Sequence, residues 1–350
     1  METALATAIY LSSGLLLGWS LGANDAANVY GAAVGAGMIR FRTAAIACGV
    51  FVVLGAVLQG EGAAATLDRL GGIDSLPAAF SVALSAGVAV MWMSRLGLPV
   101  STSQAIVGAI VAWNLFAGRP TDLGELGRIV LSWVSSPVLA GLVSAALYVL
   151  LKAAIRRSRV HLFRFDAGLR VGLHAAGALG AFSLGANNVA NVMGVFISAA
   201  TLAPLTVGGV VLLDGTRELF LLGALAIAVG VATGSRPVME TVGRQLLRLS
   251  PEAAMVVVAA SGLTMFVFSS RALSEGLAAL GMFRIPLVPI SSTQAVVGAV
   301  LGIGLVRGGR GLRYRVMGEI AVGWVVTPIA AALITLVMLH VVRNVFGAAF

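Results

Sequence analysis

Charged residues are scarce in this sequence. Asp, Glu, Lys and Arg make up 11% of its 350 residues, against about 25% in soluble domains, and the mean hydropathy is +1.00. A water-soluble fold is excluded on that count. Cysteine is nearly absent: Cys48, in the apolar stretch "IACGV", is the only one. Neither an intrachain disulfide nor a cysteine-built metal centre can form. Histidine occurs three times, at His161, His174 and His340, too sparsely for a His-rich metal centre. Asp25, Glu61, Glu240 and Glu319 offer acids, but no His or Cys stands beside a Ser as nucleophilic catalysis requires. The chain therefore does not read as an enzyme, and no cofactor is expected. Acids are outnumbered 14 to 23 by bases, for a net charge of +9. Such a balance can signal nucleic acid, but here Lys and Arg gather in short stretches between apolar runs. That is the positive-inside pattern of a membrane protein, and no nucleic-acid partner is expected.

What the chain has in abundance is apolar sequence. Runs at Leu5–Ser20, Ala44–Leu58, Ala78–Met93, Ala105–Ala117, Ile129–Leu151 and Ile320–Val342 recur along its length. About 20 apolar residues cross a bilayer as a helix, so the expected fold class is all-α, a polytopic membrane protein. The first run lacks the basic n-region of a cleavable signal, with Glu2 in its place.

The sequence is also written twice. "ANDAAN" (Ala23–Asn28) returns as "ANNVAN" (Ala186–Asn191), "PVSTSQA" (Pro99–Ala105) as "PISSTQA" (Pro289–Ala295), and Trp133 with Ser136-Pro137 as Trp324 with Thr327-Pro328. The separation widens after the first pair, which places an insertion of about 27 residues in the second half, part of it in Thr201–Glu218. The resulting division is a first repeat over 1–151, a basic linker over 152–170 and a second repeat over 171–350.

Loop charges give the relative orientation of the repeats. Lys152–Arg170 carries +5, Arg307–Arg315 carries +4 and Ser235–Ser250 carries +2, whereas Glu61–Pro77 carries −2 and Gly118–Arg128 is neutral. Equivalent loops of the two halves thus fall on opposite sides, with the basic ones cytoplasmic. The repeats are expected to be inverted, with both termini outside, the linker inside against anionic lipid, and discontinuous or re-entrant helices at the repeat interface.

Asn24, Asp25 and Asn28 sit among Gly and Ala between apolar runs, as do Asn187, Asn188 and Asn191. Polar groups at membrane depth are costly, about 2.5–3.5 kcal/mol for an Asp at a helix centre, so one copy reads as interhelical glue and two copies as a site. Gly22, Gly31, Gly35 and Gly37 are expected to let the backbone leave regular helix there. In the second pair of motifs, Pro ends one helix. Ser101, Thr102, Ser103 and Ser291, Ser292, Thr293 then cap helices expected to start near Gln104 and Gln294. A helix N-terminus with hydroxyls is an anion site. No Arg or Lys lies within any of the four motifs. A divalent oxyanion beside Asp25 would be an uncompensated charge in low dielectric. Binding should therefore require Na+, held by the Asn, Asp and Gln oxygens, or protons.

These residues resemble the PiT family of inorganic phosphate transporters. The resemblance rests on the duplicated Gly22–Asn28 and Gly185–Asn191 signatures, the runs Pro99–Ser103 and Pro289–Thr293, and "RPVMETVGRQLLRLSP" (Arg236–Pro251). It spans essentially the whole chain. It implies inverted repeats, a homodimer in the plasma membrane, and Na+- or H+-coupled uptake of inorganic phosphate by alternating access. It also implies substrate contacts from Asp25, Asn188, Ser101, Thr102, Ser103, Ser291, Ser292 and Thr293. Asn24, Asp25, Asn28, Gln104, Asn187, Asn188, Asn191 and Gln294 would hold the coupling cation. Two positions depart from the phosphate pattern: Asn188 stands where Asp is usual, and Gln104 and Gln294 where His is frequent. Asn-Asn at 187–188 resembles the family's sulfate permeases, so sulfate stays open as the substrate. An anion channel and an anion-sensing receptor on the same scaffold are the readings outside coupled transport.

Overall fold

The structure is a computed structural model describing residues 2–35, 37–95, 100–157, 161–200, 202–207, 210–239, 249–309, 312 and 314–347. Outside that set lie Met1 and Phe350, Pro99 of the first Ser/Thr motif, Arg159 of the linker, Arg310 and Arg313 of the basic loop, and residues 240–248 of the Arg236–Pro251 segment.

The first half comprises α1 (Glu2–Gly35), α2 (Phe41–Gln59), the short α3 (Glu61–Gly71), α4 (Leu76–Arg95), α5 (Thr102–Ala117) and α6 (Leu123–Arg157). The second comprises α7 (Leu162–Met193), a hairpin of β1 (Leu205–Val207) and β2 (Val210–Leu213), α8 (Gly215–Gly234), α9 (Pro251–Ser269), the short α10 (Arg271–Ala279), α11 (Ser292–Val306) and α12 (Tyr314–Phe346). The expected all-α membrane architecture holds, and the hairpin, with Thr206 opposite Val211, is a small addition to it. Seven of these helices are long and apolar enough to cross a bilayer among the described residues.

Every principal packing pair has a counterpart with the halves exchanged. α1 lies on α8 as α7 lies on α2, α6 on α11 as α12 on α5, and α1 on α4 as α7 on α9. Glycine permits the closest of these crossings. A Cβ on Gly22 would meet the carbonyl of Ile227, and one on Gly185 that of Val52; Gly108 and Gly298 face the carbonyls of Pro328 and Pro137 in the same mirrored way. In lipid, where helices gain nothing from burying apolar surface, such backbone proximity supplies the association energy.

Contacts at the helix ends show which way each element runs. Tyr10, early in α1, packs edge-on against Phe80, early in α4. Arg119, just after α5, pairs with Asp74, just before α4, at 3.0 Å. Arg343, late in α12, lies over Phe116, late in α5. These ends share one face. Lys152, late in α6, pairs with Glu252 at the start of α9 at 3.2 Å, and Arg307, after α11, bonds Tyr148 Oη at 2.9 Å. They share the opposite face with the start of α7. The first half thus starts on one face and the second on the other, the inverted arrangement expected from loop charge. Within Lys152–Arg170, residues 152–157 are the last turns of α6 and 162–170 the first turns of α7.

α5 and α11, with 16 and 15 residues, rise only about 24 and 22 Å, short of a hydrocarbon core about 30 Å thick. Each reaches one face with its C-terminus, so each begins inside the protein at membrane depth. The outer wall is left to α6 and α12, whose Leu131, Val134, Val138 and Leu142, and Val322, Ile329, Leu333 and Val337, are exposed.

One expectation is corrected and two are located more closely. The Asn-rich segments do not break helix: α1 and α7 run unbroken through 24–28 and 187–191, because Gly22 and Gly185 are used for close approach instead. α5 and α11 start at Thr102 and Ser292, two residues before the glutamines, because Ser101 and Ser291 are the caps. The second-half insertion is divided between the β hairpin and the stretch from α10 to Ile290.

Candidate functional site

The site forms where the middle of the molecule is most polar. Ser101 and Ser291 have extended backbones, and each Oγ accepts the N–H of Gln104 or Gln294 at 3.3 Å. They are capping residues, each Oγ accepting a backbone N–H while keeping its own proton. Just beyond the caps, Ser103 in the first turn of α5 and Ser292 and Thr293 in that of α11 bond the Asn-rich helices of the opposite repeat.

One cluster joins α1 to α11. Ser292 Oγ donates to Asp25 Oδ2 at 2.9 Å, and Asn24 Nδ2 donates to Asp25 Oδ1 at 3.1 Å. Asn28 Nδ2 reaches Ser292 Oγ at 3.0 Å and Thr293 Oγ1 at 3.2 Å. The second cluster joins α7 to α5. Asn191 Nδ2 donates to Ser103 Oγ at 2.8 Å and to Asn188 Oδ1 at 2.9 Å. Asn28–Thr293 and Asn191–Ser103 are the same bond in the two repeats.

The clusters interlock. Thr293 Oγ1 donates to the carbonyl of Val100 at 3.3 Å, and Ser103 Oγ to that of Ile290 at 2.9 Å. Each hydroxyl thereby holds the extended residue before the other repeat's helix. Asn187 clamps the same strand: its Nδ2 donates to the carbonyl of Val288 at 3.1 Å, and its Oδ1 accepts from Ile290 N at 3.0 Å. The backbone groups of Val100, Val288 and Ile290 are members that side-chain reasoning missed. The signal lay in their place next to the two Ser/Thr runs.

The symmetry is incomplete, and the difference is sharpest at Asp25. Ser292 bonds Asp25, yet Thr102, the equivalent of Ser292, has a buried Oγ1 with no partner, and so does Nδ2 of Asn188, the equivalent of Asp25. Buried oxygens without partners also include Gln104 Oε1, Gln294 Oε1 and Asn191 Oδ1. Buried polar groups are normally satisfied, which makes these five atoms candidate partners for a ligand. Asp25 is 3% exposed, and among the described residues no Lys, Arg or His bonds or pairs with it. Asn24, Asn28 and Thr293 are half-buried while Asn187, Asn188 and Asn191 are buried, so the cluster is more exposed on the α1 side. Helix-start donors suited to an oxyanion and neutral oxygens beside one carboxylate, suited to a hard cation, occupy the same few ångströms of protein.

Comparison with known proteins follows that geometry. The profile of the "Phosphate transporter family" matches residues 21–167 and again 161–335, one match per repeat. The chain is 27% identical to a protein of Pyrococcus abyssi named "Putative phosphate permease", covering 94% of this chain and 96% of that one. It is 28% identical to a protein of the same name from Methanocaldococcus jannaschii, covering 90% of each. A solved structure titled "The sodium-dependent phosphate transporter" superposes with a TM-score of 0.77 over 97% of this chain and 99% of that one, at 24% identity, and establishes the shared fold. The duplicated polar helices, the half-length helices that start between them and these matches have one outcome: the chain is a multi-pass membrane transporter, not an enzyme, and belongs to the phosphate transporter family.

Proposed function

We propose that the protein moves inorganic phosphate across the plasma membrane as a symporter, by alternating access around the site between α1, α5, α7 and α11. The observation that carries this reading is a buried Asp25 without a cationic partner, set among unpartnered oxygens and helix-start hydroxyls. An oxyanion entering such a pocket adds to the charge of Asp25, and low dielectric forbids the sum. A cation must enter with it, and Gln104, Gln294 and Asn191 present the oxygens for Na+. The same logic permits a proton on Asp25 or on the anion. Thr102, whose hydroxyl has no partner within the protein, supplies a donor to the anion; Ser292, Thr293 and Ser103 add theirs by turning their protons away from Asp25, Val100 and Ile290, and Asp25 accepts from a P–OH group. Ser101 and Ser291 support these groups as caps, and Asn24 and Asn28 orient Asp25 and the second hydroxyl pair. The relatives' names and the structural neighbour's title agree with phosphate and sodium.

Sulfate is the second reading, and Asn188 favours it. Its Nδ2 is a buried donor without an acceptor, and sulfate, which has no proton, asks only for donors. Uptake of labelled phosphate and of sulfate into proteoliposomes, with and without an inward sodium gradient, separates the readings. Saturable phosphate uptake that collapses with the gradient is expected. Preferential sulfate uptake would reassign the substrate, a proton-driven uptake would reassign the coupling ion, and an ohmic anion current would replace transport by conduction.

The sidedness follows from charge. The face holding Lys152, Arg156, Arg157 and Arg164 is assigned to the cytoplasm against anionic lipid, and both termini to the outside. Cysteine labelling on a background lacking Cys48 tests this, and a terminus labelled from the linker's side overturns it. The long apolar walls of α6 and α12 are consistent with a homodimer in lipid, which cross-linking in native membranes would detect.

A further inference from the structure

A cavity of about 500 Å³ opens on the face opposite the basic linker, between α3, the start of α6, α10 and the extended strand before α11. Its place on that face is fixed by Glu125 and Arg128, which stand at the start of α6, whereas the linker follows that helix's end. Arg69, Arg128, Arg271 and Arg284 line it together with Glu61, Glu125 and Glu275.

The pairing within it is uneven. Glu125 serves two guanidiniums, Arg69 at 3.0 Å and Arg128 at 3.3 Å. Glu275 pairs with Arg271 at 2.7 Å. Glu61 lies 3.9 Å from Arg271 and is also held at 3.4 Å by Arg217 from outside the cavity. Arg284 is exposed and forms no ion pair or hydrogen bond among the described residues. The cavity's other polar groups are largely spent: the carbonyls of Ile285, Leu287 and Val288 accept from Ser274, Thr66 and Asn187. What remains is guanidinium donors in excess of carboxylate. Arg presents a planar fork suited to tetrahedral oxyanions.

The floor of the cavity is the wall of the transport site. Val288 lines the cavity, and its carbonyl is held by Asn187, whose amide also fixes Ile290, the acceptor of Ser103. The transport site lacks a cation of its own, so it has no long-range attraction for an anion in solution. A cleft lined with excess positive charge raises the local anion concentration.

We infer that this cavity is a second, peripheral binding site for a phosphate-class oxyanion, anchored by Arg284, that collects the anion before it passes the Asn187-clamped strand. The ligand class rests on the proposed function; the cavity and its charge do not. The test is equilibrium binding of radiolabelled inorganic phosphate to the full-length protein in zwitterionic nanodiscs at low ionic strength. Two classes of phosphate site are expected, the weaker one lost in about 0.5 M salt, where the Debye length falls to a few ångströms. Arg284→Gln should remove the weaker class and leave the tighter one, which also serves as its folding control. Arg284→Lys keeps the charge and should retain the weaker class. In proteoliposomes Arg284→Gln should raise half-saturating phosphate about three- to tenfold at low salt with the maximal rate unchanged.

A weaker class that survives Arg284→Gln, or that disappears in Arg284→Lys, overturns the assignment. Displacement by an anionic phospholipid added to the nanodisc would make a lipid headgroup the ligand and remove the collecting role. Ser292→Ala is the separate control. If it leaves the tighter class untouched, the central-site reading fails while the peripheral site stands.

Discussion

Replacing Asp25 with Asn changes one atom and tests the charge argument directly. Asp25 accepts two hydrogen bonds, from Ser292 Oγ at 2.9 Å and Asn24 Nδ2 at 3.1 Å. An amide has one oxygen, so its N–H₂ must face one of these donors. Ser292 Oγ can turn to accept, but it already accepts from Asn28 Nδ2, and its own proton would then lack an acceptor. The substitution forfeits one hydrogen bond to a charged group, about 1.5–3 kcal/mol, together with the charge that draws the coupling cation. At 1.36 kcal/mol per decade, half-saturating sodium should rise by about ten- to a hundredfold, and phosphate uptake at physiological sodium should nearly vanish. The assay is initial-rate uptake across a sodium series in proteoliposomes of Asp25→Asn, with reconstituted protein quantified. Sodium dependence and rate equal to wild type would refute the argument that the site requires a cation because Asp25 has no cationic partner.

Asn188→Asp gives the second repeat the acceptor that Asp25 gives the first. Thr102 Oγ1, unpartnered now, would donate to it, and the phosphate-to-sulfate uptake ratio should rise; an unchanged ratio would place selectivity in pocket shape. Gly108→Leu drives a side chain into the carbonyl of Pro328 and should lower Tm in detergent, at the overpacking cost of about 1–3 kcal/mol, while Gly127→Leu, which faces open space, should not. Just before α4, the Arg119 guanidinium bonded to Asp74 holds its carboxyl below the usual range. A depressed carboxylate stabilises the fold above its unfolded pKa of about 3.9 and loses that contribution as pH falls through the lower folded value. Arg119→Gln should flatten the acid limb of a Tm-versus-pH curve below about pH 4, with a small amplitude because the pair is exposed.

Membrane character, the duplication and the inverted sense of the repeats were all legible in the sequence. Each depends on composition, spacing or the sign of loop charge, quantities that need no coordinates. The four polar motifs were legible too, because Asn, Asp and Ser stand out against apolar sequence at a cost lipid does not tolerate without cause. Their division of labour was not. Ser101 and Ser292 are chemically alike, and only the backbone at the head of each helix makes one a cap and the other a donor to Asp25. The unbroken course of α1 and α7 was likewise hidden, since glycine permits both irregular backbone and close approach, and the neighbours Ile227 and Val52 decide which. The partnership of Asn28 with Ser292 and Thr293 spans most of the chain. It arises because the inverted packing lays each Asn-rich helix on the other repeat's half-length helix, and no local periodicity encodes that choice. The excess arginine over the cavity opposite the linker is of the same kind. Arg69, Arg128 and the segment carrying Arg271 and Arg284 lie far apart in sequence, and only the tertiary structure puts them around one space with fewer carboxylates than guanidiniums.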